Sequence, residues 1–162
     1  MMKFRQPLFR LLVLAPALAL LGACSSSGLQ GDTVMKRPDY FYLDPNARIE
    51  SADEMVRFES RYRLYGAISE EEMSAREGHY YSFPWTTTDT ASAAALLFEY
   101  RQANTGALVH SLRVPLEKVR RKNVAHIEIV GEPFELNGKV TAWRATLWDG
   151  DTLVDEQTSF LW

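Results

Sequence analysis

Two groups of residues in this sequence have types and spacing that could do chemistry. Cys24 carries the only thiol of the chain, and it ends the segment Leu21-Gly22-Ala23-Cys24 after an apolar run over residues 11–20. The small side chains of Gly22 and Ala23 would let a narrow peptidase site accept the chain beside that thiol. The second group is basic and consists of Lys118, Arg120, Arg121 and Lys122.

The first 24 residues resemble the signal peptide and lipobox of a bacterial lipoprotein. Lys3, Arg5 and Arg10 give a positive start, and the apolar run has the length of a secretory h-region. It is too short for a membrane span, which needs about 20 apolar residues. In that family the cysteine thiol is diacylated, the signal is cut before it, and the new amino terminus is usually acylated. The resemblance implies cleavage between Ala23 and Cys24 and lipid attachment at Cys24.

The alternatives are an ordinary secretory signal with a chance cysteine, or a buried N-terminal helix. On the lipoprotein hypothesis the partner of the N-terminus is the membrane, because two or more acyl chains hold a protein stably at the bilayer. In Gram-negative lipoproteins the residue after the cysteine helps to sort inner from outer membrane. Ser25 resembles the outer-membrane choice, so we expect an envelope protein, at the outer membrane if the host is Gram-negative.

The predicted mature chain is one domain on a tether. It runs from Cys24 to Trp162, which is 139 residues, and loss of three basic residues leaves 15 basic against 21 acidic ones, a net charge of −6. That balance is not typical of a nucleic-acid binder. With Cys24 acylated no disulfide is possible, so a hydrophobic core must stabilise the fold. The predicted divisions are a cleaved signal over 1–23, a flexible linker and arm over 24–50, and a β-sandwich over 51–162.

The basic group follows Pro115 and precedes a predicted strand at Ile127. One hypothesis is an anion site for lipid phosphates or an acidic partner, since a membrane anchor would bring phosphates within reach. The alternative is a solvated loop or edge, where basic side chains discourage aggregation between sheets.

No catalytic or metal-binding pattern stands out in the sequence. His79, His110 and His126 lack the spacing of a metal site, which needs three or four convergent ligands. The serines lie in no nucleophile motif, and the glycines are scattered singly at turn positions. We therefore expect that the protein is not an enzyme and that it binds no metal and no cofactor.

The aromatic residues allow two interpretations. Trp85 or Trp148 could stack against a sugar, whereas core packing is the expected role of Trp143 and Trp162. The residues Tyr40-Phe41-Tyr42-Leu43 form either an arm packed on the domain or an exposed docking strand. We expect packing, because an exposed aromatic run is an aggregation hazard.

Short alternating segments predict a mainly β fold, an antiparallel β-sandwich of immunoglobulin or fibronectin type. Strands are expected over 79–85, 93–103, 108–114 and around Ile127, with a turn at Asn137-Gly138 and a hairpin around Asp149-Gly150-Asp151. Pro115 is expected to end one strand, and the last strand to stay packed through Trp162.

One or two short helices are predicted near residues 52–76. Capping-box patterns begin at Ser51 and Ser69, which predicts helices near 52–58 and over 69–76, while alternation after Arg61 predicts a strand near 60–68. The alternative fold is α+β, with a larger helical layer over 52–76. For function, the sequence predicts a non-catalytic module that binds an envelope protein; the alternative is binding of lipid or polysaccharide through exposed aromatics.

Overall fold

The computed structural model describes residues 32–46, 53–91 and 93–162. Eight strands and three helices lie in these ranges: β1 Val34–Met35, β2 Asp39–Leu43, α1 Glu54–Leu64, α2 Glu70–Ser74, β3 Gly78–Thr86, β4 Ala94–Gln102, β5 His110–Leu116, β6 Lys122–Val130, α3 Glu132–Asn137, β7 Val140–Asp149 and β8 Thr152–Thr158. The predicted signal peptide, Ala23, Cys24 and Ser51 lie outside the described residues. No helix within the described ranges is long and apolar enough to cross a membrane.

Two antiparallel sheets pack face to face. In the first, β3 pairs with β6 along its whole length and with β1 and β2 on its other edge. The second has the order β5-β4-β7-β8. The prediction of a mainly β antiparallel sandwich is confirmed. Residues 34–43, which the sequence assigned to the arm, contribute β1 and β2 to the first sheet. The aromatic run of β2 is packed as expected at Phe41, Tyr42 and Leu43, whereas Tyr40 is 54% exposed.

Alternation along β3, β4, β6 and β7 builds the core. Side chains two residues apart point to the same face of a strand, and those facing the other sheet are buried aromatic and aliphatic groups. The buried cluster includes Phe83, Trp85, Leu96, Phe98, Ile127 and Leu147. With no disulfide among the described residues, this cluster must supply most of the stability of the domain.

One glycine is required by close packing. Gly78 begins β3 with a φ of +141°, and a Cβ atom there would collide with the backbone carbonyl oxygen of Ile129 on β6. A residue with a side chain would have to push the two strands apart. The sheet therefore fixes glycine at this position.

The strand predicted near 60–68 is wrong, because α1 continues to Leu64. Four residues of alternation fit a helix as well as a strand, and the ion pair of Glu59 with Arg63 at the i, i+4 spacing supports the helix. Its N-cap is Asp53, whose side chain accepts a hydrogen bond from the Met55 amide. The helix predicted over 69–76 is confirmed as α2, with both hydrogen bonds of the Ser69–Glu72 capping box present.

Two further predictions, at Asn137-Gly138 and at Pro115, are wrong. Asn137-Gly138 ends a helix, α3, instead of forming a hairpin turn; Phe134 in that helix is buried, and Gly138 caps it with a φ of +75°. Pro115 pairs with Ala95 inside β5, which is tolerated because β5 is an edge strand.

The last strand ends earlier than predicted, at Thr158. Phe160 and Leu161 beyond it are exposed. The Trp162 ring lies outside the core against the Arg101 and Arg144 guanidinium groups, whereas Trp143 packs on the core as predicted.

Candidate functional site

The helix α1 is inverted with respect to an ordinary amphipathic helix. Its single buried residue is Ser60, and the half-buried side chain of Arg63 also lies toward the first sheet. Its apolar side chains Met55, Phe58 and Tyr62 are mostly exposed, with Phe58 58% and Tyr62 67% accessible to solvent. Surface helices normally turn the apolar stripe toward the core. The outward stripe therefore has no partner among the described residues.

The stripe continues beyond the helix. Tyr65 and Ile68 follow at the helical end and are among the most exposed large apolar residues described. The rings of Phe58 and Tyr62 stack with their centroids 6.2 Å apart. We call Met55, Phe58, Tyr62, Tyr65 and Ile68 the outer row. Five exposed large apolar side chains within 14 residues of chain are typical of an interaction surface.

Polar contacts hold α1 on the sheet and free its apolar side for solvent. The Arg63 guanidinium lies 4.0 Å above the Tyr80 ring and pairs with Glu128 at 3.4 Å. Arg76 Nη1 donates hydrogen bonds to the carbonyl oxygens of Arg63 and Tyr65 at 2.8 and 2.7 Å. A cation at the carbonyl end of a helix also suits the helix dipole. The position of the outer row is thus fixed by charge and cation–π contacts.

A depression of about 420 Å³ opens beside the outer row, between α1 and the outer face of the first sheet. Its walls include Tyr62, Tyr65, Tyr80, Arg63, Arg76 and Glu128. Most of these polar side chains already contact one another, so the exposed groups available to a ligand are the two tyrosine rings nearest the solvent.

The structure brings three of the four predicted anion-binding residues to one place. Lys118, Arg120 and Lys122 line a depression of about 540 Å³ on the loop between β5 and β6, together with Trp85 and Glu117. Arg121 does not line it, and its carbonyl oxygen accepts a hydrogen bond from the Thr87 amide at 3.2 Å. All four basic side chains are exposed and form no ion pair within the described part of the chain.

Of the two tryptophans proposed for sugar stacking, Trp85 is 1% exposed and belongs to the core. Trp148 is half-buried, and its Nε1 donates to the Thr146 hydroxyl at 2.8 Å. Both are less exposed than Phe58 and Tyr62. The helix predicted near 52–58 contains Met55 and Phe58, but nothing in the sequence indicates that this face is exposed.

The three histidines lie on three different strands. His79 is buried in β3, His110 begins β5, and His126 lies on the outer face of β6. In residues 32–46, 53–91 and 93–162 no group of three or more histidine, cysteine or acidic side chains could hold a metal ion. Ser82 Oγ lies 3.0 Å from His126 Nδ1, but neither residue lines a described depression, and nucleophile activation also needs a group that orients the base.

His79 joins three strands. Its Nε2 accepts a hydrogen bond from the Val140 amide at 3.1 Å, and its Nδ1 lies 2.9 Å from the Tyr40 hydroxyl. Because Nε2 is an acceptor, the neutral ring must carry its proton on Nδ1 and donate to Tyr40. Burial and the nearby Lys139 lower the pKa of His79 to about 4.

This arrangement predicts acid sensitivity. Between pH 6.5 and about 4 the unfolded chain protonates His79 but the folded chain does not, so the free energy of unfolding falls as the pH falls, by at most about 1.4 kcal/mol per pH unit. Urea unfolding across this range should show a shallower pH dependence for His79→Gln than for the wild type. His126→Gln, on the exposed face, is the control; an equal change in both variants would contradict the assignment.

No protein-family model matches the chain, and no curated protein matches it. Among solved structures, the crystal structure of an immunoglobulin-like protein from Pseudomonas aeruginosa is similar to part of it: 20% identity, covering 50% of this chain and 69% of that one, with a TM-score of 0.38. A likeness of that degree leaves the function to be argued from the residues of this chain.

Proposed function

We propose that the protein is a lipid-anchored bacterial envelope lipoprotein whose β-sandwich is a non-catalytic protein-binding module. The observation that carries the binding function is the outer row on α1. Exposing this much apolar surface lowers solubility. The polar contacts that hold α1 on the sheet do not involve the outer row, so the fold does not require these apolar side chains. The partner that fits is an envelope protein with an apolar surface able to cover a helix of three turns.

The position of α1 favours a protein partner over the bilayer. The helix contacts Tyr80 and Glu128, near the end of the first sheet where Gly78 pairs with Val130. The chain enters the sandwich at the opposite end, where Val34 pairs with Thr86. Nine residues of β3 separate the two ends, which is about 26 Å. The outer row therefore lies at the end of the sandwich opposite to the point where a tether from Cys24 would enter.

The proposal is tested by site-specific crosslinking. A photoreactive residue at Phe58 or Tyr62 should join the protein to one envelope protein in living cells, and the same residue at Glu135, which is exposed on α3, should not. With that partner purified, Phe58→Ala with Tyr62→Ala should weaken binding at least about 30-fold, as loss of a buried aromatic anchor does.

The double variant should retain its thermal midpoint, because both side chains are exposed. Absence of any adduct at both positions, or undiminished binding by the folded double variant, would contradict the proposal.

The second candidate function, binding of lipid or polysaccharide through aromatics, is favoured by one observation. Tyr62 and Tyr65 form exposed walls of the depression beside α1, and aromatic faces suit sugar rings and acyl chains. The same crosslinking experiment separates the two candidates. An adduct with a glycan or a lipid instead of a protein would support this second function.

A further inference from the structure

The loop between β5 and β6 lies where the chain enters the sandwich. Val34 pairs with Thr86, and Thr86 pairs on its other side with Lys122. Neighbouring strands are about 4.8 Å apart, so Val34 and Lys122 are separated by about 10 Å. We call the end of the sandwich that contains Val34, Thr86 and Lys122 the tether end.

Hydrogen bonds connect the basic loop to the tether. Thr33 Oγ1 lies 2.8 Å from Thr87 Oγ1 in a buried contact, and the Thr87 amide donates to the Arg121 carbonyl oxygen at 3.2 Å. Thr33 is nine residues from Cys24. Nine residues span at most about 32 Å when fully extended. An acyl anchor at Cys24 therefore keeps this loop within about 30 to 40 Å of the bilayer surface, whatever the path of the intervening chain.

The loop is held in one shape, which reduces the entropic cost of binding a ligand. The Arg120 amide donates to Asn123 Oδ1 at 2.8 Å, and Asn123 Nδ2 donates back to the Arg120 carbonyl oxygen. Val119 packs against the core between two exposed basic side chains. Lys118, Arg120 and Lys122 consequently project around one depression, and Glu117 is the only acidic group among the described residues that line it.

The charge at this end is localised. The chain after Cys24 carries a net charge of −6, yet its densest basic segment is here. Four acidic residues also lie at the tether end: Asp32 and Asp89 are close to Thr33 and Thr87, whereas Asp149 and Asp151 are on the hairpin of β7 and β8, two strands away from Leu116. An anion therefore meets attraction on the β5–β6 side and repulsion on the β7–β8 side.

We propose that this loop is an anion site that takes phosphate groups of the kind displayed by phospholipid headgroups, and that it turns the β5–β6 side of the tether end toward the membrane. The inference rests on the proposed lipid anchor, which brings the headgroups within reach. Each basic side chain close to an anionic bilayer raises the affinity of a protein for that bilayer about five-fold. Three such side chains therefore suffice to orient a domain that is already tethered.

The first arm of the test asks whether the site binds phosphate at all. The mature protein, purified in a non-ionic detergent, is titrated with inorganic phosphate and followed by NMR. The amides of Arg120, Lys122 and Asn123 and the indole N–H of Trp85, which has no hydrogen-bond partner among the described residues, should shift together and saturate. Charge reversal by K118E, R120E and K122E should abolish the shifts. Arg57→Glu, Arg61→Glu and Arg113→Glu change the net charge equally on other faces and should preserve them.

The second arm asks whether the phosphate belongs to the bilayer. Because the Cys24 thiol would carry the lipid, a fluorophore on Thr88→Cys labels the tether end alone, and one on Ala107→Cys labels the opposite end. In vesicles of phosphatidylcholine with phosphatidylglycerol, a headgroup quencher should quench position 88 several-fold more than position 107. Charge reversal in the loop or 0.5 M salt should reduce that ratio.

The outcomes separate the possible sources. Phosphate shifts with equal quenching at both ends would mean a site for free phosphate and would overturn the orientation of the domain. No shifts and equal quenching would overturn the proposal entirely. Mass spectrometry of the same sample reports acylation, so failure of the anchor is recognised independently, and the phosphate titration remains decisive without it.

Discussion

Replacing Cys24 by alanine should abolish acylation of the protein completely. Alanine has no thiol to form the thioether, and Cys24 is the only cysteine of the chain. Each buried methylene of an acyl chain contributes about 0.8 kcal/mol, and two chains or more are needed for stable attachment.

The measurement is incorporation of labelled palmitate in a bacterial host, with the mass of the purified product. The wild type should carry label and begin at Cys24, having lost 23 residues. Cys24→Ala should carry none and retain its leader. Ser25→Ala preserves the thiol and should remain labelled. Label on the Cys24→Ala variant would end the lipoprotein hypothesis and, with it, the membrane source of phosphate proposed for the basic loop.

Replacing Phe98 by alanine should lower the free energy of unfolding by about 3–5 kcal/mol, the usual range for a fully buried phenylalanine. Phe98 is inaccessible to solvent in the middle of β4. Its ring lies 5.2 Å from that of Tyr81, 5.7 Å from Phe83 and 6.0 Å from Trp143, so it connects both sheets. A domain of this size is typically stable by about 5–15 kcal/mol, so the loss is a large part of the total.

The chain offers a matched control for this substitution. Phe160 is fully exposed after the last strand, so Phe160→Ala should change stability by less than about 0.5 kcal/mol. Denaturant unfolding followed by tryptophan fluorescence compares the two variants. Similar losses for both would mean that the aromatic cluster around Phe98 does not hold the sheets together.

Local patterns predicted most of the strands. The apolar run of β4, the alternation in β5 and β7 and the turn at Asp149-Gly150-Asp151 identify those elements, because strands are short apolar or alternating segments bounded by turns. The prediction was wrong where only a few residues determine whether a segment is a helix, a strand or a turn. At residues 60–64 the same window fits a strand and a helix, and at Glu132–Asn137 a single buried side chain, Phe134, holds a short helix.

The candidate sites divide in the same way. Lys118, Arg120 and Lys122 lie within five consecutive residues, so the basic cluster can be recognised from the sequence. Its neighbour in space, Thr33, is far away along the chain and joins it only through Thr87. The helix predicted near 52–58 contains only Met55 and Phe58 of the outer row, and an apolar helix face is expected to point inward, which nothing local contradicts.

The sequence by itself determined the lipoprotein hypothesis, the mainly β fold and the basic cluster, because each depends on residue types within a short segment. The tertiary structure decided which side of α1 faces solvent and which end of the sandwich receives the tether. Both depend on pairings between distant residues: Arg63 with Tyr80 and Glu128, and Val34 with Thr86. The free energy of such contacts depends on geometry that no local pattern contains, so the orientation of both proposed surfaces follows only from the folded chain.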